Sequence, residues 1–217
     1  PNPYIGSGQL DGNGIPADFF SDIHVRRALA YCFDWESFID DVFAGEAVKS
    51  FQLPLPGMVG YDPDMPQYEF DLAKCEEEFK LADIDKDGIP TGEETDGTDV
   101  WNVGFRVQMA YNQGNNTRQT IAEILSSNLA AVNDKFSVET LGLPWATYLR
   151  IQRAKQLPLL TGGWLEDIHD PYNWFQPYTY GVYGGRQGLP TELKQEFQTD
   201  LVKAVTEPDE ATRAELY

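Results

Sequence analysis

The sequence predicts an α/β fold, a sheet with covering helices, forming a single lobe over residues 1–217. Segments with helical periodicity alternate with short segments of strand periodicity, the order from which such folds are built. Residues 101–111 carry the strand signal most plainly. Trp101, Val103, Phe105, Val107, Met109 and Tyr111 are separated by smaller or polar side chains, a period of two. With 217 residues, 41% of them hydrophobic and 13% aromatic, the chain can bury a core.

The elements follow in order. Ser21 is expected to cap a helix whose apolar positions Val25, Ala28, Leu29 and Cys32 fall at i, i+3, i+4 and i+7. Asp34 caps a second, with Trp35, Phe38, Ile39, Val42 and Phe43 on one face and Gly45 at its end. Pro54, Pro56, Gly57, Gly60, Pro63 and Pro66 mark residues 51–66 as a long ordered loop. Asp71 opens a third helix carrying Leu72, Cys75 and Phe79, and an acidic loop runs from Asp83 to Asp99. After the strand comes a helix around 117–132, with Ile121, Leu125, Leu129 and Val132 on one face. A short strand near 136–141, a helix over 144–154 with Pro144 at its first position, and a strand over 157–161 follow. Residues 163–185 read as an aromatic loop and 190–205 as a final helix.

Cys32 and Cys75 both fall on apolar helix faces, where a free thiol packs as a small hydrophobe. A disulfide remains open if the compartment is oxidising. The chain starts in a Pro/Gly-rich run, Pro1 to Pro16, and stops within a helical pattern after Pro208. It is therefore expected to be a piece of a longer protein.

Thirty-five Asp and Glu stand against 16 Lys and Arg, a formal charge of −19. That surplus repels nucleic acids and anionic membranes, and it suits an exported protein or one that meets divalent cations. No stretch of about 18 apolar residues is present to span a bilayer.

Residues 162–175 concentrate chemistry. Glu166, Asp167, His169 and Asp170 lie between Trp164 and Trp174, just beyond a predicted strand, where α/β proteins hold ligands. Gly162 and Gly163 admit a ligand close to the backbone, and a carboxylate beside aromatic walls can hold an ammonium or another cation. The plainer alternative is a loop that packs over the sheet with its acids solvated.

The run from Gly163 to Phe175 resembles the GW-x-x-D-x-x-D/E-P-x-x-F signature of the family-5 solute-binding proteins, the dipeptide, oligopeptide and nickel-binding group. Asp22 to Asp34 is similar to the family's D-x-x-VR-x-A-L-x-x-A-x-D helix pair, and Tyr68 to Lys74 to its Y-x-Y-D-x-x-K-A helix start. Their order and separations agree as well. The resemblance implies the second lobe of a bilobed periplasmic-binding-protein-like fold of type II, the peptide-binding group. The amino-terminal lobe would lie in sequence absent here. It further implies a small-solute ligand, a peptide in the first instance, handed to an ABC permease. The location would be extracytoplasmic, either periplasmic or lipid-anchored at the cell surface. Within the family's peptide binders the aspartate of the signature receives the ligand's α-ammonium, a role that passes to Asp167. Gly163 and Trp164 are carried over with it, and Trp145 stands 19 residues upstream of Trp164, where oligopeptide binders place a second pocket tryptophan. Gln152 and Thr161 stand where those binders have cations for a ligand carboxylate, so the resemblance supports a free peptide C-terminus less well.

Residues 83–94 fit the D-x-D-x-D-G-x5-E pattern of calcium loops, in which alternate hard oxygens converge while glycine makes the turn. Asp83, Asp85, Asp87, Glu94 and the Ile89 carbonyl are the expected ligands of a structural Ca2+. Pro90 and the lack of a following helix depart from an EF-hand and favour a freestanding loop. A solvated acidic turn is the alternative.

No nucleophile elbow, P-loop or zinc spacing is present, so the chain is read as a binder and not an enzyme. Two other readings stay open. One is a glycosidase-like acid pair of Asp167 and Asp170 with Trp164 and Trp174 as sugar platforms. The other is a calcium-stabilised cell-surface module.

Overall fold

The computed structural model of the chain describes residues 2–217. The chain divides into two compact units. The first comprises residues 1–48, 68–151 and 156–162, and the second 49–67, 152–155 and 163–217. The main hydrophobic core lies wholly in the first unit.

In the first unit, helices α1 (Ile23–Tyr31), α2 (Trp35–Phe43) and α3 (Leu72–Leu81) precede a single turn, α4 (Val100–Val103). Then come β1 (Phe105–Asn112), α5 (Asn116–Val132), β2 (Phe136–Leu143), α6 (Trp145–Arg153) and β3 (Leu159–Leu160). The last residues of α6, from Gln152, group with the second unit. The sheet is parallel, in the order β2-β1-β3, with Phe105 opposite Phe136 and Met109 opposite Leu159. Parallel neighbours require a crossover, and α5 supplies it between β1 and β2.

Strand alternation turns Phe105 and Val107 of β1 and Phe136 and Val138 of β2 into the core. The Phe105 and Phe136 rings stack at 4.7 Å, and Phe79 of α3 meets Phe136 at 4.6 Å. The opposite face of the same strands is polar. There Arg106 grips Glu139 with two bonds of 2.7 and 2.6 Å, which holds the Glu139 carboxyl below the usual carboxylate range. Both side chains are more than a third exposed, so the pair contributes about 1 kcal/mol at most.

Several local expectations are corrected. Asp22, not Ser21, caps α1: its Oδ1 accepts from the amides of His24 and Val25, while Ser21 ends a 3-10 turn. The strand begins at Phe105 and not Trp101. Asp99 accepts from the amides of Trp101 and Asn102 and starts the turn α4, and Gly104 (φ 76) reverses the chain into β1. The third strand shrinks to Leu159–Leu160. Asp34 and Asp71 cap α2 and α3 as expected.

Cys32 and Cys75 are not free thiols. They form a disulfide with Cα atoms 5.5 Å apart, joining the end of α1 to α3 inside the core. Each packs on an apolar face, as the periodicity requires; facing helices make the bond possible.

The second unit contains α7 (Pro171–Tyr178), α8 (Val182–Arg186), α9 (Thr191–Thr206) and α10 (Glu210–Leu216). Residues 163–185, read as a loop, therefore hold two helices. The Asp170-Pro171 pair starts the first: the Asp170 side chain accepts from the Tyr172 amide and proline occupies N1, where no amide is needed. The loop 49–67 belongs to this unit, and Gly60 (φ 81) comes so close to Tyr217 that an added Cβ would lie 2.7 Å from the Tyr217 Cβ.

Because the disulfide closes a 43-residue separation, its loss removes about 3–4 kcal/mol of unfolded-state constraint. Replacing both cysteines by serine should lower the denaturant midpoint accordingly, and adding reductant should then change the variant no further. A parent whose midpoint ignores reductant would show that the bond contributes nothing.

Candidate functional site

The segment Gly163–Asp170 is held by residues of its own unit. Asn173, on the first turn of α7, is the hub. Its Oδ1 accepts from the Trp164 indole N–H at 3.1 Å and from the Asp167 amide at 3.2 Å. The Tyr183 hydroxyl donates to the Gly163 carbonyl at 3.0 Å, and the Tyr183 ring stands edge-on to Trp164 at 6.0 Å. Tyr178 stacks on Tyr183 at 5.0 Å. Trp164 is thus half-buried and pinned, while Gly163 and Asp167 are exposed.

The acids of this segment differ in what they touch. Glu166 accepts from the Trp174 indole and from His169 Nδ1, both at 2.8 Å, and the Trp174 bond leads in holding its carboxyl below the usual range. Asp170 caps α7, binds the Arg213 guanidinium, and meets the Tyr217 hydroxyl at 3.5 Å. The Asp167 carboxylate, by contrast, has no hydrogen-bond or ion-pair partner among the described residues. It lies between Leu165, 89% exposed, and Ile168, 68% exposed. Asp170 is therefore engaged in structure, and nothing supports an Asp167–Asp170 acid pair.

Trp145 belongs to the first unit, at the start of α6. It is 53% exposed and stacks on the buried Tyr148 at 5.7 Å, so it stands outside the core. Thr161, at the end of β3, is buried with its hydroxyl unpartnered, while its carbonyl accepts from the Tyr148 hydroxyl. Gln152, in the second unit, is 3% exposed and its Oε1 accepts from Arg186 Nη1 at 3.2 Å. Sequence reasoning missed Asn173, Tyr183 and Arg186. The Asp-Pro start of α7 was the one readable signal, since it places Asn173 on a first turn facing back.

In the first unit, one oxygen from each of Asp83, Asp85 and Asp87 lies within 4.8 Å of the others. The loop turns through Lys86 (φ 64) and Gly88 (φ 90), and amides of Gly88, Asp87 and Ile89 cross-link the three carboxylates. Backbone bonds from Thr91 to Ala82 and from Gly92 to Lys80, both 2.8 Å, close its base. Asp83 Oδ1 is buried without a partner. Glu94 does not join the cluster of three, but it is close enough to feel it. Burial first, then the Asp85 charge, raise its carboxyl from 4.5 to about 7. Ile89 contributes its amide to Asp87.

The parallel sheet, its covering helices and the helical second unit together form a fragment of the bilobed fold of periplasmic binding proteins. The crystal structure of a dipeptide-binding protein from Pseudoalteromonas sp. SM9913 in complex with Met-Leu superposes with a TM-score of 0.71 at 19% identity, over 93% of this chain and 37% of that one. The chain belongs to the bacterial extracellular solute-binding proteins, family 5, whose middle-region profile matches residues 4–185. It is 29% identical over 173 residues to the dipeptide-binding protein of Escherichia coli K12, covering 80% of this chain and 29% of that protein. Against the oligopeptide-binding protein OppA of Bacillus subtilis 168 it is 24% identical over 200 residues, covering 90% and 34%. The chain thus spans about a third of the length of these relatives.

Removing the Asn173 side-chain oxygen deletes two hydrogen bonds, each worth about 1 kcal/mol. Asn173→Leu should speed exchange of the Trp164 indole proton, read by NMR, and lower stability by about 1–2 kcal/mol. An unchanged indole exchange rate would show that Asn173 does not hold Trp164.

Proposed function

We propose that this chain forms part of the ligand-binding surface of an extracytoplasmic solute-binding protein that delivers peptides to an ABC importer, holding its ligand without converting it. The observation that carries the reading is Asp167. Of the acids at 166, 167 and 170 it alone is unengaged, and it projects from a braced backbone between exposed apolar side chains. An aspartate in that state suits an α-ammonium, with Trp164 as the adjoining wall and Gly163 open to close approach. Trp145, exposed on its own unit, is proposed as a further ligand contact. The relatives are called dipeptide- and oligopeptide-binding proteins, which supports the peptide class and binding without turnover. An amino-terminal lobe and a permease are the proposed partners. The Cys32–Cys75 disulfide favours an oxidising, extracytoplasmic compartment.

A second reading concerns the first unit alone. We propose that Asp83, Asp85 and Asp87, with Glu94 and the Ile89 carbonyl, hold a structural Ca2+. Three carboxylates within 4.8 Å repel one another unless a cation sits among them, and Asp83 Oδ1 is buried with no partner of its own.

In the full-length protein, Asp167→Ala should weaken a peptide with a free amino terminus by about 2 kcal/mol, roughly thirtyfold, as loss of one partner of a desolvated charge pair does. The same peptide N-acetylated should bind parent and variant alike. Without its opposing lobe the present chain should bind poorly, because apolar burial at about 25 cal/mol per Å² is forfeited. Calorimetry decides the matter, and equal affinities of parent and Asp167→Ala would remove the ammonium anchor. For the metal, chelator should lower the melting temperature of the parent and leave Asp85→Ala unmoved. A parent melting curve indifferent to calcium rejects the site.

A further inference from the structure

Gln152 is neutral and buried. Within the second unit a cation reaches it from elsewhere in the chain. Arg186, the last residue of α8, reaches Gln152 Oε1 with Nη1 at 3.2 Å. Its guanidinium lies over the Tyr183 ring, 5.3 Å from the centroid. Tyr183 in turn donates to the Gly163 carbonyl and stands edge-on to Trp164. A single aromatic residue therefore links Arg186 to the segment that carries Asp167.

Arg186 is half-buried, and in a chain with 35 acids against 16 bases it pairs with no carboxylate among the described residues. Its fixed contacts are a neutral amide oxygen and a ring face. Both orient the guanidinium and neither cancels its charge. Gln152 is buried, so its amide is a rigid prop, and it occupies one of the five guanidinium N–H groups. The remaining donors form the planar fork that suits a carboxylate. We infer that Arg186, propped by Gln152 and Tyr183, receives the carboxylate of the ligand whose ammonium meets Asp167. Specificity for a free C-terminus would then come from α8, one residue past the matched stretch 4–185. This inference rests on the peptide-binding reading.

The test uses the full-length protein, titrated calorimetrically with alanyl-phenylalanine and with its C-terminal carboxamide, and with the matching acid and amide of a tetrapeptide. The parent should favour an acid over its amide by about tenfold or more, and Arg186→Gln should reduce that preference to about twofold or less by weakening the acid alone. Arg186→Lys, which keeps the charge but loses the fork, should give an intermediate preference and serves also if the glutamine variant misfolds. An acid preference unchanged in the folded variants overturns the role of Arg186 while leaving peptide binding in place. A parent that binds none of the four probes overturns the peptide reading, and this inference falls with it.

Discussion

An α-helix begins with amide groups that have no acceptor within the helix, and in this chain aspartate supplies that acceptor again and again. Asp22, Asp34, Asp71, Asp99, Asp170 and Asp209 each accept at the start of a helix. A carboxylate there also meets the positive end of the helix dipole. Much of the architecture hangs on these caps. Asp99 decides that the chain makes a turn before β1, and Asp22 both starts α1 and accepts from the Asp83 amide through its other oxygen. The acidic surplus is therefore partly structural, and an acid in this protein becomes a candidate for chemistry only after its capping duties are accounted for.

That distinction organises residues 163–170. Glu166 ties Trp174 and His169, and Asp170 ties the start of α7 to Arg213 near the end of the chain, where Phe175 and Tyr217 stack at 5.4 Å. These bonds brace the backbone on either side of Asp167 and leave its carboxylate to solvent. On the binding role proposed for it, a charge held on a rigid frame with exposed apolar neighbours would strengthen its interactions once a ligand excluded water from it. The bracing comes entirely from the second unit. Arg186 follows the same logic with opposite sign, fixed by neutral groups that leave the charge intact.

The first unit treats charge differently. Its acidic loop packs three carboxylates around one turn, and the backbone amides that tie them leave Asp83 Oδ1 without a partner. Lys86, inside the loop, pairs outward with Asp18 and so does not neutralise the cluster. The loop spans from α3 to α4, and whatever screens its charge also steadies the connection between the helix that carries the disulfide and the strand at the centre of the sheet.

Periodicity and caps determined most of the first unit. Val25, Ala28 and Cys32 face inward because helical spacing allows nothing else, Asp34 and Asp71 start their helices, and Phe105, Val107 and Met109 alternate into the core. The convergence of Asp83, Asp85 and Asp87 was also legible, since their spacing is local to one turn. Where two local signals competed, the sequence misled. Ser21 and Asp22 are both good caps, and only the 3-10 turn that takes in Ser21 assigns the task to the carboxylate. Trp101 and Val103 continue the strand rhythm, yet Asp99 and Gly104 bend them into a turn. What tertiary structure alone decided are the pairings across long separations: Cys32 with Cys75, Arg213 with Asp170, Arg186 with Gln152, and the grouping of residues 49–67 with the carboxy-terminal helices. Helical and strand periods state which way a side chain points and are silent on which distant segment it will meet. That depends on how whole elements pack, and packing is a property of the folded chain.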